Sequence, residues 1–161
     1  MRRAFLTSSR CVISWAPSVV AGRVSSEVSQ LPLEAVAEVL RIAREAGVPT
    51  ALDVDLPPAD AVPTLGDRES LDAVLRAADL LKPSKAAAAA LLERTEADAL
   101  GLADALRARF DAPAVVVTAG AEGCAIAAEG GVALRLPAHA AKEVVDSTGA
   151  GDAFLGGLLT G

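Results

Sequence analysis

The residues best suited to chemistry lie near the end of the chain, in the stretch DSTGAGDAF at positions 146–154. Gly149 and Gly151 lack side chains, so backbone N–H groups in this stretch can approach a bound anion closely. The apolar segment that follows predicts a helix, and a helix N-terminus attracts negative charge through its unpaired N–H groups and its dipole. The stretch therefore predicts a candidate anion site at a helix N-terminus.

Asp152 stands directly beside this candidate anion site, which is electrostatically unfavourable for a side chain that serves packing alone. A carboxylate at this point has a purpose if it takes a proton from a hydroxyl that attacks a phosphorus atom. The alternative is an ordinary helix N-terminus, in which Asp152 is a first-turn acid that interacts with the helix dipole. The local residues favour the two interpretations equally.

The elements that would position this stretch alternate between helices and strands. Apolar residues at helical spacing predict helices over 32–47, 67–78, 84–94, 98–110 and 149–159. Short apolar runs predict strands over 48–55, 79–82, 112–118, 124–128 and 132–136, whereas the prolines of 56–66 predict a loop. This order predicts one α/β domain with a mainly parallel sheet flanked by helices.

The composition excludes several classes of protein. The chain has 161 residues, of which 52% are hydrophobic and 2% aromatic, and its net charge is −6. Scarce aromatic rings and an acidic balance argue against a nucleic-acid partner. No run of apolar residues approaches the length of a membrane span, so we expect no membrane partner. Cys11 and Cys124 are too few for a disulfide framework or a zinc cage, which favours a reducing, cytoplasmic setting.

The N-terminal segment 1–23 differs in character from the predicted domain, 24–161. It contains four arginines and several serines, and the first acidic residue is Glu27. This composition fits an organellar transit peptide, which would direct the protein to a plastid or a mitochondrion instead of the cytoplasm. The alternative is a buried strand over 11–15 that follows an irregular start.

The stretch 146–159, DSTGAGDAFLGGLL, resembles the C-terminal signature of the PfkB (ribokinase-like) carbohydrate kinases at every position. DVD at 53–55, LKPS at 81–84 and TAGAEG at 118–123 resemble other motifs of that family, in the family's order. The resemblance covers about residues 24–161. It implies a ribokinase-like layered α/β fold that is incomplete at both ends, and a homodimer for a full-length form.

The resemblance also implies an activity, the ATP-dependent phosphorylation of a sugar or sugar-like hydroxyl with ATP and Mg²⁺ as cofactors. Asp152 would be the general base at the sugar. The amides of Gly149, Ala150 and Gly151 would form the anion hole for the transferred phosphoryl group. The other residues implicated are Thr118, Gly120, Gly123 and Lys82 at the nucleotide, Gln30 at the sugar, and Asp146 and Thr148 at a monovalent cation such as K⁺. For Lys82 the alternative is a solvated lysine at a strand end, and for Gln30 it is a polar residue at a helix entry.

The sequence departs from the family at the NxxE motif, which is linked to magnesium and phosphate handling. Ser84 and Ala87 occupy those positions, and neither supplies a carboxylate. Asp55 stands where Asn is usual, and Pro57 where Arg is common. Two hypotheses follow. One is a divergent kinase that places magnesium through water and ATP alone, and the other is an inactive relative that binds nucleotide or acts as a scaffold.

Overall fold

The computed structural model describes residues 11–14, 31–55, 58–95, 98–140, 144 and 146–160. Six strands in this part of the chain form one sheet in sequential order. They are β1 (Cys11–Ser14), β2 (Thr50–Val54), β3 (Leu80–Pro83), β4 (Ala114–Thr118), β5 (Cys124–Ala128) and β6 (Val132–Leu136). Strands β1 to β4 are parallel, and β5 and β6 continue the sheet antiparallel. The prediction of an α/β fold with a mainly parallel sheet is confirmed.

Five of the six described helices begin close to the predicted positions, and capping side chains mark the starts of three of them. The described helices are α1 (Leu33–Glu45), α2 (Pro58–Leu65), α3 (Arg68–Ala77), α4 (Lys85–Leu91), α5 (Ala99–Phe110) and α6 (Ala150–Thr160). Asp67, Ser84 and Asp98 each accept a hydrogen bond from a backbone N–H in the first turn of the helix that follows. These bonds satisfy N–H groups that no helical carbonyl can reach. Among the described helices, none has the length and apolarity needed to cross a bilayer.

The prediction of a loop over 56–66 is wrong, because α2 lies within it. Pro58 is the first residue of this helix, where a fixed φ and a missing N–H are tolerated. Leu65, at its other end, is buried in the main core. Proline content alone therefore misassigns this segment, since one of its prolines starts a helix instead of preventing one.

Residues 11–14 form strand β1, parallel to β2, with Ser14 opposite Asp53. This pairing agrees with the strand interpretation of the N-terminal segment. The remaining residues of 1–23 lie outside the described part of the chain, so the transit-peptide interpretation stays a prediction.

The two faces of the sheet are covered unequally. One face packs against α1 to α5 in a large core, to which the sheet contributes residues such as Leu52, Leu81 and Val115. The other face is covered by α6, whose Leu155 is buried in a smaller cluster with sheet residues such as Leu80. Because successive side chains of a strand point to opposite faces, residues 53 and 82 lie on the α6 face. Beyond α6, on β6, Val132, Leu134 and Leu136 are exposed.

We predict that Gly123→Ala destabilises the protein far more than Gly120→Ala. Gly123 has φ +92°, and a Cβ at this position would lie 2.0 Å from the backbone oxygen of Leu136. No rotation of a side chain relieves that overlap, so the cost is about 3 kcal/mol or more. Gly120 has φ +55° with open space around it, so alanine there costs only the left-handed backbone penalty, about 1 kcal/mol. Urea unfolding of both variants measures the difference, and equal losses would contradict the steric explanation.

Candidate active site

The carboxyl ends of β2 and β3 meet the first turn of α6. A Cβ built on Gly151, in that turn, would lie 3.4 Å from Lys82 Nζ and 3.5 Å from Asp55 Oδ2. In open α/β sheets, ligands bind in the crevice outside the carboxyl ends of the strands. We therefore locate the candidate active site between these two strand ends and the start of α6.

Lys82 and Asp53 form a buried ion pair directly under this turn. The two residues lie opposite each other in the register of β2 and β3. The Nζ atom of Lys82 donates to both carboxylate oxygens of Asp53, at 2.7 and 2.8 Å, and both side chains are fully buried. The interpretation of Lys82 as a solvated lysine is therefore wrong, because the side chain lies in the sheet and beneath α6. Each buried charge is compensated by the other, whereas an isolated charge at either position would have no such partner.

The electrostatics of Asp53 connect this ion pair to two further carboxylates. Burial raises the pKa of Asp53 above its usual value, and the hydrogen bonds and charge of Lys82 oppose this rise. The negative charges of Asp55 and Asp152 raise the pKa of Asp53 further. Asp53 thus interacts with three charged groups at the ends of β2 and β3 and at the start of α6, and we call Asp53, Asp55, Lys82 and Asp152 the strand-end cluster. Asp55 and Asp152 are partly exposed, whereas Asp53 and Lys82 are not.

The predicted anion-binding amides lie at the start of α6. Gly149 has φ +76°, and Ala150 and Gly151 are the first two residues of the helix. The N–H of Ala150 donates to the carbonyl of Ser147 at 3.1 Å. A bound anion would have to compete with that carbonyl for the Ala150 amide. The roles of these amides, and that of Asp152 in the same turn, stay predictions.

Three residues predicted to line the nucleotide lie together at the carboxyl end of β4. Thr118 is the last residue of β4 and forms a bridge with Ser84, which follows β3. Gly120 begins a short 3₁₀ turn, and Gly123 ends it by donating its N–H to the Gly120 carbonyl at 3.0 Å. The turn is therefore next to the strand end that carries Lys82. Whether these residues contact a nucleotide stays a prediction.

Two predicted cation residues, Asp146 and Thr148, are exposed and interact with each other. The Thr148 N–H donates to Asp146 Oδ1 at 2.8 Å, and this hydrogen bond holds the pKa of Asp146 below its usual value. Gln30, the predicted sugar-side residue, lies outside the described residues. The structure brings Lys82 and the α6 turn together, but it leaves Asp146 and Thr148 in the exposed approach to that turn.

The residues present do not fit a magnesium site built by the protein itself. The Ser84 hydroxyl accepts the Ala87 N–H at 3.2 Å as a helix cap, and Ala87 is fully buried. Among the described residues, no group of three or more His, Cys, Asp or Glu side chains is arranged to hold a metal ion. Enzymes that use Mg²⁺ often bind it through one or two carboxylates together with the substrate's phosphates.

The Asp53–Lys82 pair and the position of Asp55 beside the α6 turn are the features that the sequence analysis missed. A signal for the ion pair was present, although it becomes specific only when the pairing of β2 with β3 is known. Asp53 and Lys82 interrupt the apolar runs ALDVD and LLKP, each near the end of a predicted strand. Because neighbouring parallel strands end at the same edge of a sheet, opposite charges at those two positions predict an ion pair.

The sequence and structure comparisons with known proteins point to the same group of proteins. The sequence model described as "pfkB family carbohydrate kinase" matches residues 14–161. The 2-dehydro-3-deoxygalactonokinase of Haloferax volcanii is 33% identical over 142 residues, which are 85% of this chain and 42% of that protein. The chain thus spans less than half the length of this relative.

Solved structures with the same fold give a similar coverage. The aminoimidazole riboside kinase of Salmonella enterica, solved with aminoimidazole riboside and an ATP analog, is 30% identical with a TM-score of 0.61, covering 78% of this chain and 40% of that one. The ribokinase of Arabidopsis thaliana, solved with ribose and ATP, is 26% identical with a TM-score of 0.60, covering 77% of this chain and 38% of that one. The ribokinase-like fold is therefore confirmed for a chain that matches about two fifths of these structures.

We predict that Lys82→Met lowers stability in a pH-dependent way. Loss of the ammonium leaves the Asp53 carboxylate buried without a partner, so the free energy of unfolding at pH 7 falls by about 3–5 kcal/mol. The pKa of Asp53 is already raised in the folded state, and removing the ammonium raises it further. A carboxyl group whose pKa is higher in the folded than in the unfolded state contributes to stability at pH values below its unfolded pKa. That contribution is lost as the pH rises through its folded pKa. The difference in the free energy of unfolding between the wild type and the variant should therefore become smaller as the pH is lowered from 8 to 5.

Urea unfolding at several pH values measures this difference. Lys85→Met is the matched control, because Lys85 pairs with Glu122 near the surface, and it should cost less than about 1 kcal/mol with little pH dependence. If the stability lost in Lys82→Met is the same at every pH in this range, Asp53 is not the buried carboxylate that the substitution leaves unpaired.

Proposed function

Because the chain belongs to the pfkB family of carbohydrate kinases, we propose that it serves the ATP-dependent phosphorylation of a sugar or sugar-like hydroxyl. The observation that carries this proposal is the position of Asp152, a partly exposed carboxylate in the first turn of a helix that starts above two parallel strand ends. A carboxylate beside helix N–H groups suits a reaction in which one group is deprotonated and another gains negative charge.

In the proposed reaction, Asp152 accepts the proton of the sugar hydroxyl as its oxygen attacks the γ-phosphorus of ATP. A new bond forms between that oxygen and phosphorus, and the bond from phosphorus to the bridging oxygen breaks, with ADP as the leaving group. The charge on the equatorial phosphoryl oxygens is stabilised by the amides of Gly149, Ala150 and Gly151. Positioning and electrostatic stabilisation supply most of the catalysis in phosphoryl transfer.

The nucleotide would lie along the carboxyl end of β4, against Thr118, Gly120 and Gly123. Their closeness to one another and to the end of β3 supports this placement. ATP, or an ATP analog, is present in the solved Arabidopsis and Salmonella kinases described above. Gln30 would contact the sugar, whose identity we leave at the level of a small polyol or sugar.

Two cations enter the proposal in different ways. Magnesium would arrive with ATP and supply charge neutralisation at the phosphates, since the residues at the NxxE positions hold no carboxylate. Asp146 and Thr148 are proposed to bind a monovalent cation such as K⁺ near the start of α6. We propose no nucleic-acid or membrane partner, and we propose that a full-length form is a homodimer.

A second candidate function is nucleotide binding without catalysis, as in a scaffold protein. The specific observation in its favour is that Ser84 serves as a helix cap and Ala87 is buried, so neither position is available to a metal. Both functions share the nucleotide site and differ in turnover.

We predict that Asp152→Asn lowers kcat by about 10²–10⁴-fold while Mg-ATP binding is retained, because the amide keeps the shape of the side chain but accepts no proton. Sugar-dependent ADP release measures the rate. Asp104→Asn, on the exposed face of α5, removes the same charge away from the site and should keep the full rate. An unchanged rate for Asp152→Asn would remove this residue from the role of base.

Calorimetry with Mg-ATP separates the two candidate functions. If the chain acts as a kinase, we expect heat on binding of Mg-ATP together with sugar-dependent ADP release. Binding without release over a panel of sugars would support the scaffold function, and the absence of any binding would contradict both.

A further inference from the structure

The strand-end cluster carries an excess of negative charge at the place where the proposed function brings a polyphosphate. Its members are three carboxylates, on Asp53, Asp55 and Asp152, and one ammonium, on Lys82. ATP is itself strongly anionic, so each carboxylate opposes its approach. Within this cluster, Lys82 is the member whose charge favours the phosphates.

The geometry around Lys82 places its charge against the backbone of the α6 turn. Two of the three donors of the ammonium are satisfied by the carboxylate of Asp53, at 2.7 and 2.8 Å. On its other side, Nζ lies 3.4 Å from the position that a Cβ of Gly151 would occupy. Glycine at 151 therefore leaves no side chain between the ammonium and the first turn of the helix.

We propose that Asp53 and Lys82 act as a positioning pair for phosphoryl transfer. Asp53 fixes the ammonium beneath the first turn of α6, and the charge of Lys82 strengthens the attraction of that turn for the transferred phosphoryl group. In this arrangement Nζ stays bonded to Asp53 and acts from below the turn, without having to reach the phosphate. The inference rests on the proposed function, because it needs a phosphoryl group at the start of α6.

A double variant separates the charge of Lys82 from its part in folding. In Asp53→Asn/Lys82→Met both buried charges are replaced by neutral groups of similar size, so no unpaired carboxylate remains. We expect the double variant to recover most of the stability lost in Lys82→Met, measured by urea unfolding. We also expect it to bind Mg-ATP several-fold more weakly than the wild type in calorimetry. The net charge is unchanged, but the lost ammonium lies 3.4 Å from the Gly151 Cβ position, closer to the turn than the Asp53 carboxylate that is removed with it.

Asp55→Asn provides a second variant with an effect of opposite sign. Asp55 Oδ2 lies 3.5 Å from the same Cβ position on Gly151, and asparagine keeps its shape while removing its charge. Mg-ATP binding should therefore become tighter, by about tenfold. Asp104→Asn is the control for net charge, because it removes one negative charge as Asp55→Asn does. Asp104 lies on the exposed face of α5, and its replacement should change binding by less than about twofold.

The inference is overturned if the double variant binds Mg-ATP as tightly as the wild type, since the pair would then be structural only. It is also overturned if Asp55→Asn weakens binding. Failure of the proposed function has a different signature, in which Mg-ATP binds and follows the expected charge order but no sugar of the panel gives ADP release in the wild type. A wild-type chain that does not bind Mg-ATP contradicts both.

Discussion

One lysine and one aspartate, buried against each other between two neighbouring strands, constrain the rest of the candidate site. Removing either charge from water is costly, and the cost is offset only because the two side chains meet at hydrogen-bond distance in a fixed register. The register of β2 and β3 is in turn held by the apolar residues on their other face, which pack into the five-helix core. The site therefore depends on the large core through this ion pair.

The start of α6 completes the site because it can come close to the pair. A glycine in its first turn leaves room for the Lys82 ammonium and the Asp55 carboxylate. Leu155, one turn later, anchors the helix in the smaller cluster on the same face of the sheet. The backbone and the apolar anchor thus act together, and they bring Asp152 into the electrostatic range of Asp53.

Much of the fold could be predicted from the sequence, because helix caps and apolar periodicity agree in most segments. Asp67, Ser84 and Asp98 mark three helix starts through local hydrogen bonds that involve only neighbouring residues. The helix at 58–65 was missed since its prolines are compatible with either a loop or a helix start. The ion pair was missed for a different reason, namely that residues 53 and 82 become neighbours only when strand pairing is known.

The unequal layers of the sheet have a consequence for local motion. Five helices cover one face, whereas α6 is held by a smaller apolar cluster and carries Asp152, the carboxylate that we propose as the proton acceptor. Segments with few buried apolar contacts open at lower free energy than the global unfolding reaction. Amide hydrogen exchange should therefore be faster in α6 than in α5, because the smaller cluster holds its helix with fewer buried apolar residues than the main core.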